Sequence, residues 1–417
     1  MPKSLTVLTK EMGAVVLNGF HVVGGKSPAN LSPLLTGKAA SELPDIDQFY
    51  FADHLDPAMF IFDGMKQDGY RTAFYKDMPW RGTFLNYHKG FSHQPADHYL
   101  CPFLMKHYVD SLKSNGNIFC IGDLPHYNVM LNLTKQLFEL NGKKFSLTYI
   151  TDISHEKFGI VSSIDDDVAN YLRWFLYTRK LDNTVIIVMS DHGMRFGPQR
   201  ATELGRIEER LPFLSIVLPK TVQTLRPAAL LNLKSNVNVL TTTYDVYDTI
   251  LDIVELDTYR SNCTVSGAKI LRGMSLLEPI PKNRSCYEAD IAPYWCVCNE
   301  WKAVSRNETI YRKVVSQLVE HVNGVIKQFP TLCSKRDLLH VEWVKRSNPK
   351  HMTYLSKHFN VTNKIKPLKQ YREPYFDYYQ VKIVMGPKPA VYEGAVTYSV
   401  ETDSLTINEN DVTRVNM

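Results

Sequence analysis

Apolar residues along the chain fall into two kinds of pattern, short β-branched runs and stripes at helical spacing, and the two alternate. Asn183-Thr184-Val185-Ile186-Ile187-Val188-Met189 is an unbroken run that stops at Ser190-Asp191-His192-Gly193. Such a run reads as a parallel strand buried on both faces, and the loop at its carboxyl end is where open α/β sheets hold ligands. A second run, Phe145 to Ile150, closes on Asp152, with His155 three residues later. Between the two runs, Val168, Tyr171, Leu172 and Phe175 recur at helical spacing behind Asp165, Asp166 and Asp167, acids that suit a helix amino terminus. Strand, helix and strand predict a right-handed crossover that brings Asp152, His155, Asp191 and His192 to one edge of one sheet.

The same periodicities predict a helix from Lys3, a short strand Ala14 to Asn18, a helix Pro28 to Leu35, and strands Gly69 to Asp77 and Phe213 to Leu218. A helix Thr243 to Leu256 follows, capped by its Thr-Thr-Thr-Tyr-Asp start. Further on come a helix Thr309 to Lys327 and alternating runs at His340 to Val344, Tyr378 to Met385 and Val391 to Thr402. We therefore expect an α/β domain over 1–260, a doubly wound sheet with helices on both faces, and a smaller Cys-rich α+β domain over 261–417. A loop after Asp77 carries Trp80, Phe84, Tyr87, His88, Phe91, His93 and His98. Its aromatics line a pocket at the sheet edge or pin the loop to the surface.

Asp191 beside His192 joins a hard carboxylate to a borderline imidazole, a pair suited to zinc or manganese; a capped turn with a solvated Asp-His pair has the same sequence. Ser27 before Pro28 fits a helix cap. An apolar fraction of 44% is ample for a core, and the net charge of +5 is diffuse. With no Lys/Arg run, no Gly-rich phosphate loop and no zinc-finger spacing, nucleic acid is not an expected partner. No apolar run has the length of a membrane span. Seven cysteines, five of them (Cys263, Cys286, Cys296, Cys298, Cys333) in one region, point with the sequons at Asn30, Asn132, Asn262, Asn283, Asn307 and Asn360 to the secretory pathway. At least two disulfides are expected in that crowd; a zinc site is the competing reading, although Cys-x-Cys is not the usual knuckle spacing.

Several segments narrow the picture. Phe20-His21-Val22-Val23-Gly24-Gly25-Lys26-Ser27-Pro28, Leu34-Leu35-Thr36-Gly37-Lys38, Arg206-Ile207-Glu208-Glu209-Arg210-Leu211-Pro212-Phe213, Pro281-Lys282-Asn283-Arg284-Ser285-Cys286 and Trp295-Cys296-Val297-Cys298 resemble, in order, domain-of-unknown-function family 229. This is an extracellular family of invertebrates similar to the alkaline phosphatase and sulfatase superfamily. The resemblance implies a secreted metal-dependent hydrolase or transferase acting on phosphate or sulfate esters, its partner a phosphorylated or sulfated small molecule or glycan. It implies Ser27 as nucleophile, Asp191, His192, Asp152 and His155 as metal ligands, and Arg195, Arg210, Trp80 and His88 as substrate contacts. A guanidinium fork matches phosphate or sulfate, though Arg195, Arg206 and Arg210 would equally pair with Glu203, Glu208 and Glu209.

Three departures qualify those expectations. Ser27-Pro28-Ala29-Asn30 lacks the x-Pro-x-Arg that formylglycine formation needs, which disfavours sulfatase activity. The stretch 205–212 lacks the further His of the two-zinc branch, leaving a one-metal site in the manner of lipoteichoic acid synthases or phosphoethanolamine transferases as an option. The superfamily's first strand ends in a metal-binding acid, and the resemblance places it ahead of Met1. The chain as given is thus expected to bind zinc or manganese weakly, unless Asp45 or Asp77 completes the site. The alternative is a non-catalytic extracellular binding protein that keeps the fold without a complete metal site.

Overall fold

The computed structural model describes all residues except 44–53, 79–83, 85–87, 115, 156–158, 196, 255–271, 348–375, 409–410 and 416–417. The chain divides into two compact units, Met1–Met194 with Glu208–Asp290, and Arg195–Ile207 with Ile291–Met417.

In the first unit, strands β1 (Val15–Val16), β2 (Arg71–Lys76), β3 (His98–Tyr99), β4 (Cys120–Ile121), β5 (Leu124–Pro125), β6 (Lys144–Tyr149), β7 (Ile186–Met189) and β8 (Leu214–Val217) alternate with helices. These are α1 (Pro2–Thr6), α2 (Ser27–Thr36), α3 (Ile61–Gln67), α4 (Cys101–Lys113), α5 (His126–Glu139), α6 (Asp165–Tyr177), α7 (Glu203–Arg210), which runs on from the second unit, α8 (Lys220–Leu225), α9 (Pro227–Ser235) and α10 (Thr243–Val254). The architecture is mixed α/β, as the alternation of patterns predicts.

Among the described residues the strands of this unit pair as β3-β2-β6, in which every pair is parallel, as β1-β8-β7, in which β8 is antiparallel to both neighbours, and as the small β4-β5 pair. Among the described residues β7 pairs only with β8, antiparallel rather than parallel as expected, and all four of its residues are half-buried, whereas β8 is wholly buried. A Val/Ile run carries no information on partner direction, which explains the difference. The crossover from β6 through α6 to β7 remains. Both strands bring their carboxyl ends together, since the Tyr149 hydroxyl lies 3.2 Å from Asp191 Oδ2. Among the described residues β6 is paired along one edge only, with β2, and β7 along one edge only, with β8. All six residues of β6 are half-buried too.

Side chains fix the helices around these sheets. Asp165 accepts from the Lys3 and Ser4 amides at 2.9 and 2.8 Å, so an acid at the start of α6 also holds the start of α1. The main core gathers Leu17, Phe20, Leu31, Phe60, Phe62, Leu214, Ile216 and Val246. Phe84 and Phe91 pack edge-on against Phe60 at 5.1 and 5.0 Å, so these two loop aromatics join the core. Asp245, fully buried in α10, takes Arg284 Nη1 at 2.8 Å and the Thr242 and Met274 amides, which binds the segment 272–285 to that helix.

The second unit is α+β. Strands β9 (Trp301–Ala303), β10 (Asp337–Ser347), β11 (Phe376–Gly386), β12 (Ala390–Ser399), β13 (Ser404–Thr406) and β14 (Val412–Arg414) form one sheet in the order β13-β12-β11-β10-β9, with β14 on β12. Helix α11 (Thr309–Lys327) packs Val314, Leu318 and Val322 against Val381, Ile383 and Val396. Arg206 pairs with Glu393 at 3.5 Å and stacks on Trp343, rather than with the neighbouring glutamates. Among the described residues Cys286, which belongs to the first unit, and Cys296 are disulfide-bonded, while Cys298 and Cys333 are free thiols, so the expected second bridge is not found among them. Cys333 lies beyond α11, whose 19 residues span roughly 28 Å. Cys263 lies outside the described residues.

Candidate functional site

Ser27 is the first residue of α2, and Lys26 before it occupies the cap position without a side-chain cap bond. The Ser27 hydroxyl turns away from the helix backbone. Its Oγ lies 3.4 Å from His192 Nε2 and 3.3 Å from the Tyr149 hydroxyl. The loop before it is stapled by Asn30, whose Oδ1 accepts from the Val23 amide at 2.8 Å and whose Nδ2 donates to Gly24 O at 2.8 Å. Asn30 is fully buried, so this sequon is a structural amide.

The Asp-His turn meets Ser27 from the end of β7. His192 Nε2 lies 3.6 Å from Asp191 Oδ2. His192 Nδ1 lies 2.7 Å from Gly193 O, and a carbonyl only accepts, so Nδ1 donates and Nε2 is the nitrogen that faces Ser27 and Asp191. Gly193 is required for packing: a Cβ there would stand 2.2 Å from Glu208 O, and its amide bonds Glu209 O at 2.9 Å. The next residue, Arg210, is buried, and its carbonyl accepts from the Val22 amide at 2.9 Å. The segment 209–210 thus lies between the Asp-His turn and the loop 21–26 that leads to Ser27.

Two residues that sequence reading passed over complete this cluster. Tyr149, at the end of β6, reaches both Ser27 and Asp191; burial, then the Asp191 charge, raise its pKa well above the usual phenol value, so it stays a donor. Lys76, at the end of β2, is buried, lies over the Tyr149 ring and donates to Asp77 O and Met78 O at 3.1 and 2.7 Å. Burial pulls its pKa down to about 8 against the opposing charges of Asp77, Cys101 and Asp191. Met78 has a φ of 42°, a left-handed conformation that the Lys76 bond to its carbonyl helps to hold. The signal for both residues was position alone, a polar group closing an apolar run.

Asp152 makes its contacts elsewhere. Its amide donates to Asp77 Oδ2 at 3.0 Å, and its Oδ2 lies 3.8 Å from His126 Nδ1. Burial first, then the Asp77 charge, push its pKa up to about 7. Asp77 itself is fully buried and accepts from the Thr151 amide and hydroxyl, which ties β2 to β6. His155 sits on the turn after β6, its amide on Thr151 O at 3.0 Å. His88 is buried with its amide on Phe84 O. Arg195 belongs to the second unit, and Trp80 and Asp45 lie outside the described residues. The structure thus gathers Ser27, Asp191 and His192, and places Asp152 in a second group with Asp77 and His126.

A mixed α/β unit with a serine at a helix start, facing a carboxylate–imidazole turn across two strand ends, is the class these observations define. A family model described as "Protein of unknown function (DUF229)" matches residues 1–342, and the chain belongs to that family. No curated protein matches the chain. Among solved structures, the soluble domain of lipooligosaccharide phosphoethanolamine transferase A from Neisseria meningitidis is similar at 11% identity and a TM-score of 0.39, over 61% of this chain and 81% of that one. Ps i-CgsB in complex with k-i-k-neocarrahexaose is similar at 12% identity and 0.41, over 78% and 86%. The C-terminal periplasmic domain of EcEptC from Escherichia coli is similar at 14% identity and 0.35, over 74% and 83%.

Proposed function

We propose that the chain is a metal-dependent hydrolase or transferase acting on phosphate or sulfate esters, with Ser27 as nucleophile and Asp191 and His192 as metal ligands. The observation that carries this reading is the Ser27 hydroxyl, which bonds toward His192 Nε2 and Tyr149 instead of capping its helix. The donor set fits a divalent ion. Donors bound tetrahedrally to zinc at about 2.0–2.1 Å stand roughly 3.3 Å apart, close to the 3.4 Å between Ser27 Oγ and His192 Nε2 and the 3.6 Å between Nε2 and Asp191 Oδ2. When bound, zinc or manganese supplies a Lewis acid for the ester and lowers the pKa of a coordinated hydroxyl.

The chain's own groups do the rest. The Gly193 carbonyl fixes the His192 tautomer, and the Tyr149 hydroxyl orients Asp191. The amino terminus of α2 favours negative charge on Ser27. Lys76 carries positive charge at neutral pH beside Asp191, and Arg210 brings a second cation for the ester's anionic oxygens. Among the described residues no helix is long and apolar enough to cross a membrane. The oxidised Cys286 and Cys296 support an extracellular setting.

The test is Ser27→Ala, assayed with zinc or manganese on nitrophenyl phosphate, its diester and nitrophenyl sulfate. Activity should vanish while the melting temperature stays nearly unchanged. An active Ser27→Ala chain removes the assignment.

A further inference from the structure

The amino ends of β2 and β6, opposite the ends that meet Ser27, carry a row of basic side chains. Arg71 and Lys144 are register partners in the parallel pair of β2 with β6, and His98 on β3 is the partner of Ala73, two residues after Arg71. Side chains two apart along a strand share a face, as do those of cross-strand partners, so His98, Arg71 and Lys144 stand side by side across three strands. Lys180 follows beyond Lys144, near enough for its charge to act there. Burial first, then the Lys180 and Arg71 charges, hold the Lys144 ammonium below its usual pKa against the pull of Glu139. Like charges placed opposite each other destabilise a sheet, and an anion lying between them offsets that cost. The acids nearby are already engaged: Asp97 accepts from the Thr72 amide and hydroxyl at 2.7 and 2.9 Å, Asp68 takes Lys143 at 3.0 Å and Glu139 takes Lys180 at 3.2 Å. Arg71 is exposed, and neither it nor Lys144 has an ion-pair partner among the described residues. Beside Arg71 an open cleft of about 460 Å³ is lined by Gly69, Tyr70, Arg71, Asp97 and His98.

We propose that this row is a docking surface for an anionic glycan, with Arg71 and Lys144 sharing one sulfate or phosphate ester and a sugar ring lying along Tyr70 in the cleft. A planar guanidinium fork matches the oxygens of either ester, and an ammonium beside it adds charge without demanding a fixed angle. Three strands at about 4.8 Å spacing spread the row over roughly 10 Å, more than one such ester can touch, so the fitting ligand bears several on one chain. Arg71 and Lys76 stand at opposite ends of β2, roughly 16 Å apart. No residue of the Ser27 cluster takes part, so the surface binds glycan whether or not Ser27 is a nucleophile.

The experiment titrates the full chain with a heparin octasaccharide and with a phosphomannan oligosaccharide of the same length, by isothermal calorimetry at two salt concentrations. At least one should bind, more weakly at the higher salt, and the tighter of the two identifies the ester. Arg71→Gln and Lys144→Gln should each weaken that complex about tenfold and make its salt dependence shallower. Lys313→Gln, in the second unit where Lys313 pairs with Asp403, should leave binding unchanged. Both row substitutions remove a repulsion at the surface, so melting temperatures should stay level or rise, which separates lost docking from lost fold. Binding of neither oligosaccharide, equal affinity of Arg71→Gln and the unsubstituted chain, or an equally tight complex with single-stranded DNA of the same charge overturns the proposal.

Discussion

His21 offers a test of whether burial controls the chemistry around the Ser27 loop. Its side chain is fully buried, with Nδ1 2.6 Å from Val22 O, so Nδ1 donates and the ring is neutral. Burial above all, with the Arg210 charge adding and the Val22 bond opposing, brings its pKa from 6.5 down to about 4. Between those values the unfolded chain binds the proton and the folded chain does not, so stability is lost as pH falls through that window. At 1.36 kcal/mol per unit of pKa difference, the loss is about 2 kcal/mol at pH 5 and about 3 kcal/mol at pH 4. That is large against a total of roughly 5–15 kcal/mol. His21→Asn retains a donor for Val22 O but does not titrate. Urea unfolding of both chains at pH 7 and pH 5 isolates the His21 contribution, because every other titrating group is common to both. The unsubstituted chain should lose about 2 kcal/mol more than the variant. Equal losses would show that the ring is protonated or solvated in the folded state, and the reasoning would be refuted.

Two further expectations concern the same region. Gly193→Ala places a Cβ 2.2 Å from Glu208 O, so the Asp-His turn must shift; destabilisation of about 1–3 kcal/mol should accompany a fall in ester hydrolysis of roughly 100-fold, and a fully active variant would contradict the close packing. In chain secreted from eukaryotic cells, glycan mapping should find Asn283 and Asn307, both exposed, occupied and the buried Asn30 bare; a glycan on Asn30 would refute its role as the staple of the loop.

Strongly periodic segments were legible, and weakly periodic ones were not. α6, α10, α11 and the β11–β12 hairpin follow from spacing, because their buried faces are long and regular. Helix α4 leaves Phe103, Val109 and Leu112 exposed, which blurs its stripe. Asp191 and His192 stood out because they close an apolar run, whereas Ser27 read locally as a helix cap and was linked to them only through the family resemblance. Asn30 read as a sequon because one residue serves both patterns. His126 was invisible for a different reason: its meaning lies in Asp152, 26 residues on, and in a helix packing that no local pattern encodes.

The open facing edges of β6 and β7 give the cluster an unusual mechanical footing. No backbone ladder crosses between them among the described residues; the two sheets meet through a shared apolar core and, at the site, through the Tyr149 hydroxyl. Side-chain bonds of this kind are shorter in reach and easier to break than a register of main-chain pairs. The spacing of Ser27, Asp191 and His192 therefore rests on individual bonds, Tyr149 to Ser27 and Asp191 and the Gly193 and Val22 amides on the segment 209–210, any of which can be broken singly without unzipping a ladder.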